Sequence, residues 1–213
     1  MSGKALRQNV RDLGSAQELE RRLALARPMD TMRGFFFNGA LAAVRSLGDE
    51  AEQHCLDAGG ETGFTSFFRY PVTAYLRVIY TASWLLQEQH GGFEAAMRHV
   101  GSMAAPPFLS SALGKALLMV TQGNPRMLIS NLPTAYRTAV SYGECSVQWT
   151  GPRSGLLITR HDFMLHLIHE GALLALFEVL GTRGVQVSGR QVGELDNEIT
   201  FSWEQAPQVP DEP

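Results

Sequence analysis

The chain carries only two cysteines in 213 residues, Cys55 and Cys145. Cys55 falls in a helix-like stretch and Cys145 on the apolar side of an alternating one, so nothing pairs them. A disulfide framework is excluded, and a reducing compartment is the expectation. There is no surplus of positive charge either. Lys and Arg number 18 against 21 Asp and Glu, giving a net charge of −3, and the arginines are scattered along the chain. No basic field is available to steer a polyanion, which excludes nucleic acid as a partner. Long apolar runs are also missing: Gly171–Leu180 is too short to cross a bilayer and contains Glu178. Met1–Asp12 has Lys4, Arg7 and Arg11 but no apolar centre of the kind a signal peptide needs. A soluble cytoplasmic protein with no membrane span is expected. Among catalytic signatures, Gly-x-Ser-x-Gly, a glycine-rich phosphate loop and Cys-x-x-Cys are all absent, which leaves no recognisable nucleophilic site.

What is present is a clear C-terminal pattern. In Gly143–Thr150, Cys145, Val147 and Trp149 alternate with Glu144, Ser146, Gln148 and Thr150, as a strand with one buried face requires. Gly151-Pro-Arg-Ser-Gly155 supplies a hairpin return to a short strand at Leu156–Thr159. A helix follows, with Asp162 as its cap, Ile168, Gly171, Leu174 and Ala175 as its apolar stripe, and Gly181 as its terminator. Val185–Val192 and Leu195–Trp203 then pair around a turn at Gly193. The helix joins two antiparallel hairpins and is expected to lie across their apolar face, with Gly171 allowing a close helix–sheet approach.

The preceding half reads as helical. Ser15-Ala-Gln-Glu18 matches a capping box, and the helix it opens runs to about Ala26 before Pro28. Phe35-Phe36-Phe37 begins a second helix that Gly48 closes. Three adjacent phenylalanines cover more than one helix face, which fits either a helix wedged between two layers or an exposed partner surface. Pro71 sits as a first-turn proline ahead of Val72, Tyr75, Leu76, Ile79, Ser83 and Leu86 at helical spacing. Further helices follow at Phe93–Val100, Phe108–Val120 and from Asn124-Pro125 onward, where Pro133 is expected to kink or split the last. With 45% apolar and 18% charged residues, the chain forms one α+β domain over 15–204. A flexible N-terminus at 1–14 and a disordered tail at 205–213 flank it. The domain is a helical N-terminal half packed on a four-stranded antiparallel sheet.

Three constellations bear on chemistry. Asp162, His166, His169 and Glu170 fall along one helical stripe, a geometry that suits a metal. The two histidines stand at i and i+3 and the glutamate follows the second, unlike a zinc-hydrolase helix, so the expectation is a capping Asp162 and a solvated polar face with no metal ligand. Arg69-Tyr70 and Tyr136, Arg137 and Tyr142 are placed to line a polar mouth or to anchor helix ends. The aromatic and methionine residues of the helical half, with Tyr75, Trp84, Met97, Phe108 and Met119 as the candidate binding residues, would wrap a small apolar ligand if their helices leave a cavity.

Arg69-Tyr-Pro-Val-Thr-Ala-Tyr-Leu76, Phe93–Gly101, Leu132-Pro-Thr-Ala-Tyr136, Ser141-Tyr-Gly143 and Ile199-Thr-Phe-Ser-Trp203 resemble a paralogous family of uncharacterised proteins expanded in myxobacteria. The resemblance covers nearly the whole chain outside the tail and implies a regulatory or developmental role without a settled activity. The order of elements is also similar to vinyl-reductase-type ligand-binding domains, transport-particle subunits of vesicle tethering and haem-based nitric-oxide sensors. These bind apolar or haem ligands or assemble as dimers. The haem sensors carry Tyr-x-Ser-x-Arg at the start of the sheet, where this chain has Tyr142-Gly-Glu-Cys-Ser146, so the clamp for the haem propionates is missing and no cofactor is assigned. The expected function is a non-enzymatic regulatory or ligand-sensing module for a small apolar molecule in bacterial signalling or development. A protein-interaction scaffold, dimerising through the Phe35–Leu47 helix or a neighbour, is the alternative, and a metal-dependent enzyme using His166, His169 and Glu170 is the weaker one.

Overall fold

The computed structural model describes residues 13–204. Ser15 caps helix α1 (Ala16–Leu25) by accepting a hydrogen bond from the Glu18 amide at 3.1 Å. Glu18 reaches back one residue further than a capping box requires and accepts from the Gly14 amide at 2.9 Å. Strand β1 (Thr31–Arg33) pairs with β2 (Arg69–Pro71) in a two-stranded ribbon that is too short to show a sequence period. Between them lie α2 (Gly34–Val44), a 3-10 turn closed by Gly48, and α3 (Asp49–Gly59). Phe35 and Phe37 on α2 are buried and Phe36 is half-buried, so the triple phenylalanine is wedged into the molecule. That burial leaves the three phenylalanines of α2 no exposed face for a partner, so a dimerising scaffold would have to use a neighbouring helix.

Pro71 ends β2 and directly precedes α4 (Val72–His90), whose Tyr75, Leu76, Val78, Ile79 and Tyr80 have no solvent exposure and form the centre of the main core. α5 (Phe93–Ser102), α6 (Ala105–Ser110), α7 (Ala112–Thr121) and α8 (Pro125–Ala139) follow. Asn124 caps α8 through its side-chain oxygen, which accepts from the Arg126 and Met127 amides. Pro133 sits inside α8 without dividing it, because the helix continues on either side.

The C-terminal half matches its sequence pattern. β3 (Glu144–Gly151), β4 (Ser154–Arg160), β5 (Gln186–Gln191) and β6 (Asn197–Ser202) form an antiparallel sheet of order β3-β4-β6-β5, crossed on its apolar face by α9 (His166–Val179). Register places Val147, Leu157, Ile199 and Gly189 in one inward-facing row. Leu173 and Phe177 from α9 pack with Ile129, Leu157, Ile199 and Phe201 in a second core against this face. In the next row Trp149 and Phe201 meet at 5.4 Å over Gly155, where a Cβ would stand 2.7 Å from the Phe201 ring.

Gly171 is needed for close approach, but to a helix and not to the sheet. A Cβ there would stand 1.9 Å from the Arg98 carbonyl oxygen on α5. Gly101 does the same from the other side, where a Cβ would meet the Ile168 carbonyl oxygen at 2.4 Å. The two glycines let the α5 and α9 backbones touch, which sandwiches α9 between α5 and the sheet.

Candidate functional site

The segment between β4 and α9 is the polar centre of the molecule. Asp162 does not cap α9, which begins at His166 with Leu165 in the capping position. It lies four residues earlier with no solvent exposure, accepts from the Met164 amide at 3.1 Å, and bonds His169 Nε2 at 2.7 Å. Three tyrosines and a thiol face this carboxylate: it helps to raise the pKa of Tyr75, Tyr136, Tyr142 and Cys145, in each case second to burial. Every one of these phenols therefore stays neutral, and the Cys145 thiol is pushed up to about 12. The Tyr75 hydroxyl is buried without a hydrogen-bond partner, whereas the buried Tyr136 hydroxyl is directed at Asp162, whose charge and hydrogen bonding both help to keep it neutral. Tyr136 and Tyr142, expected either at a polar mouth or as anchors of helix ends, stand edge-to-face at 6.5 Å.

The expected solvated stripe is thus mostly buried. His169 and Glu170 are 9% and 4% exposed. Their directions diverge: His169 turns to Asp162, whereas Glu170 bonds Arg98 Nε and accepts from the Gly189 amide at 2.8 Å. His166 Nε2 lies 3.8 Å from Glu170 Oε1, on the β5 side. Gly189 makes room for that pair, since a Cβ there would stand 2.9 Å from both Glu170 Oε1 and His166 Cβ. Among the described residues no three His, Cys, Asp or Glu side chains converge as a metal site. The physical role of Glu170 is to tie α9 to α5 and β5, a fixed buried charge with a charged partner and a backbone donor.

Beside the Asp162–His169 pair opens a half-enclosed cavity of about 110 Å3. Phe36, Ala105, Phe108 and Ala135 wall its helical side, while Cys145, Leu157, Ala172 and Leu176 wall the other. His169 and Tyr136 are the lining residues nearest to polar function. The cavity therefore lies at the junction of the two halves, with apolar walls and one imidazole held from behind by a buried carboxylate.

Of the five candidate binding residues, only Phe108 lines this cavity. Tyr75 and Met97 are fully buried in the α4-centred core, where Met97 Sδ accepts from Ser83 Oγ at 3.4 Å. Trp84 is half-buried and donates from Nε1 to the Gly14 carbonyl at 2.7 Å. Met119 faces outward at 78% exposure. Helical spacing placed Tyr75 and Met97 on a buried face correctly but could not say which buried face borders a void. The lining alanines, Ala105, Ala135 and Ala172, were passed over because small residues carry no pattern of their own. Clustering of small side chains on three helices that converge is the signal that would have found them.

A second polar network ties α1 to this region. Arg22, 4% exposed, donates to Glu18 Oε1 at 2.9 Å, to the Phe163 carbonyl at 3.3 Å and to Gln191 Oε1 at 3.2 Å. Glu18 also accepts from the Tyr80 hydroxyl at 2.6 Å. The residue next to Asp162 is therefore held from behind by the first helix.

The architecture has solved counterparts. An unliganded Fe(II) H-NOX protein from K. algicida is similar with a TM-score of 0.63 at 14% identity, over 83% of this chain and 98% of that one. An H-NOX protein from S. oneidensis in the Fe(II)NO ligation state is similar with a TM-score of 0.62 at 12% identity, over 82% of this chain and the whole of that one. At these identities the likeness is one of fold, and it bears out the α+β architecture read from the order of elements. No curated protein matches the chain. Residues 25–204 match the model of the family described as "Protein of unknown function (DUF2378)", and the chain belongs to that family.

Proposed function

We propose that this protein is a non-enzymatic ligand-sensing module that takes a small, largely apolar molecule into the cavity between its helical half and its sheet. The cavity carries the reading. Its volume of about 110 Å3 is of the order of the ~150 Å3 apolar cavity that accepts benzene or xenon, and its walls are alanine, leucine and phenylalanine. Phe108 is the candidate binding residue that serves it. The H-NOX fold supports the sensing role, since both halves of that fold contribute walls here. A cytoplasmic module in bacterial regulation is the setting this reading implies.

Haem itself does not fit these residues. Drug-sized ligands occupy pockets of roughly 300 Å3 or more, well above the space present, and a haem is no smaller. None of the lining residues is an arginine or lysine to pair with a propionate, and Tyr142-Gly-Glu-Cys-Ser146 supplies none at the start of the sheet. The fold is shared and the cofactor is not.

Benzene is a suitable probe. A ligand that binds only the folded state raises stability by about 2.7 kcal/mol at a hundredfold excess over its dissociation constant. Benzene near aqueous saturation should raise the melting temperature of the wild type, while Ala172→Leu, which fills the cavity from α9, should melt normally and lose the response. A melting temperature that ignores benzene but climbs with protein concentration would replace sensing with the dimerising scaffold.

A further inference from the structure

The cavity has one functional group whose hydrogen-bonding direction is fixed by the fold. His169 lines it, and its Nε2 is 2.7 Å from Asp162 Oδ2. Asp162 has no solvent exposure, and its other oxygen is occupied by the Met164 amide. A buried carboxylate can only accept, so in the neutral ring the proton sits on Nε2 and points at Asp162. The second nitrogen, Nδ1, is then a lone-pair acceptor with no protein partner among the described residues. The partner of a ring nitrogen sets the tautomer of the other one, as in catalytic and metal-bound histidines.

Resting on the cavity reading above, we infer that the ligand is a compact, uncharged alcohol or phenol whose hydroxyl donates to His169 Nδ1 while its carbon skeleton fills the apolar walls. The size follows from the cavity: about seven non-hydrogen atoms, near the benzene-sized limit of such a space. The absence of net charge follows from the surroundings. Asp162 disfavours a second anion next to it, and no lining side chain is acidic to welcome a cation in the apolar part. The donor character follows from the tautomer, because a ligand offering only a carbonyl or ether oxygen would set a lone pair against the Nδ1 lone pair. The other polar groups do not reverse this preference. Tyr136 is neutral and its hydroxyl is turned to Asp162 beside Gly143, and the neutral Cys145 thiol is a weak donor and acceptor.

Phenol and toluene test this pair of claims, because they share a shape and differ by hydroxyl against methyl. Filling an apolar cavity alone favours toluene, since a buried hydroxyl without a partner loses its bonds to water. Titration of the full-length protein with each, followed by thermal shift and by 15N spectra of histidine-labelled protein, should show phenol binding about tenfold more tightly, ~1.4 kcal/mol. Phenol should also move the Nδ1 resonance of His169 while Nε2 remains the protonated nitrogen. In Asp162→Asn the side-chain amide donates to Nε2, shifts the ring proton to Nδ1 and should abolish the preference for phenol. If that variant does not fold, the Nδ1 shift in the wild type decides alone. Binding of neither probe overturns the cavity reading and this inference together. Toluene binding at least as tightly as phenol, or phenol binding with the Nδ1 resonance unmoved, overturns the hydroxyl assignment and leaves the cavity reading standing.

Discussion

Substituting alanine for Gly171 tests the packing that defines the cavity. Two opposed effects act. Alanine is a better helix former than glycine by ~1 kcal/mol, which favours the variant in an isolated helix. In the folded protein, the new Cβ would stand 1.9 Å from the Arg98 carbonyl oxygen and 2.8 Å from the Ser102 amide nitrogen, where ordinary contact begins at 3.4 Å. Both neighbours are backbone and cannot rotate away, so α5 and α9 must separate. Overpacking costs about 1–3 kcal/mol, and a backbone clash belongs at the upper end. The net expectation is a loss of about 2 kcal/mol. In a domain of this length, each kcal/mol corresponds to roughly 2–4 °C, so the melting temperature should fall by about 4–8 °C. Because α9 also carries His169, Ala172 and Leu176, moving it off α5 alters the cavity, and benzene binding should weaken in the same variant. Gly101→Ala strains the same crossing, so the double variant should lose less than the sum of the two singles. Calorimetry or urea denaturation reads all of these. A Gly171→Ala protein as stable as the wild type would show that the two helices do not touch as described.

Arg22→Ala leaves Glu18 buried without its cation and should cost about 3–5 kcal/mol, visible as an early urea midpoint; an unchanged midpoint would show the network to be solvated. Cys55 and Cys145, both pushed up to about 12 by burial above all, hold only about one thiolate in ten thousand at pH 8. Ellman's reagent should therefore find neither thiol in the native protein and both in urea, and prompt release of one equivalent would contradict this. Burial is the main cause that lowers the pKa of His166, opposed by Glu170 and Glu94 and reinforced by Arg98 and His169. A lowered folded value means that the unfolded chain takes up the proton first. The contribution is complete above about 6.5 and is lost as pH falls through the folded value. The melting temperature should drop between pH 7 and pH 5, and less steeply in His166→Gln; equal slopes would remove His166 from the effect.

The sheet was legible because two residues per period leave little choice. Cys145, Val147 and Trp149 had to share a face, and the hairpins joined by α9 followed from two turns and a helical stretch. The capping serine and Asn124 were legible because short-range hydrogen bonds need only neighbouring residues. The polar cluster was not. Asp162, His169 and Glu170 read as a solvated stripe because spacing along one helix cannot show that α5 packs over Glu170 through Gly101 and Gly171, or that tyrosines from other elements close around Asp162. Gly171 was recognised as a point of contact but assigned to the wrong neighbour for the same reason. The β1–β2 ribbon and the alanine-lined cavity depend on long-range pairing and on empty space, neither of which leaves a periodic trace.

The bond from Arg22 to the Phe163 carbonyl spans 141 residues of chain. Closing a loop of that length costs roughly 4 kcal/mol of chain entropy, against about 1.5–3 kcal/mol for a hydrogen bond to a charged group. The contact cannot nucleate folding and must wait until α4 has presented Tyr80 to Glu18 and the sheet has brought Phe163 into place. During synthesis, α1 can meet α4 long before Phe163 and Gln191 exist, so its last bonds wait for residues that are still being made. The network behind Asp162 thus joins residues made far apart in time, which makes its closure a late event in reaching the native state.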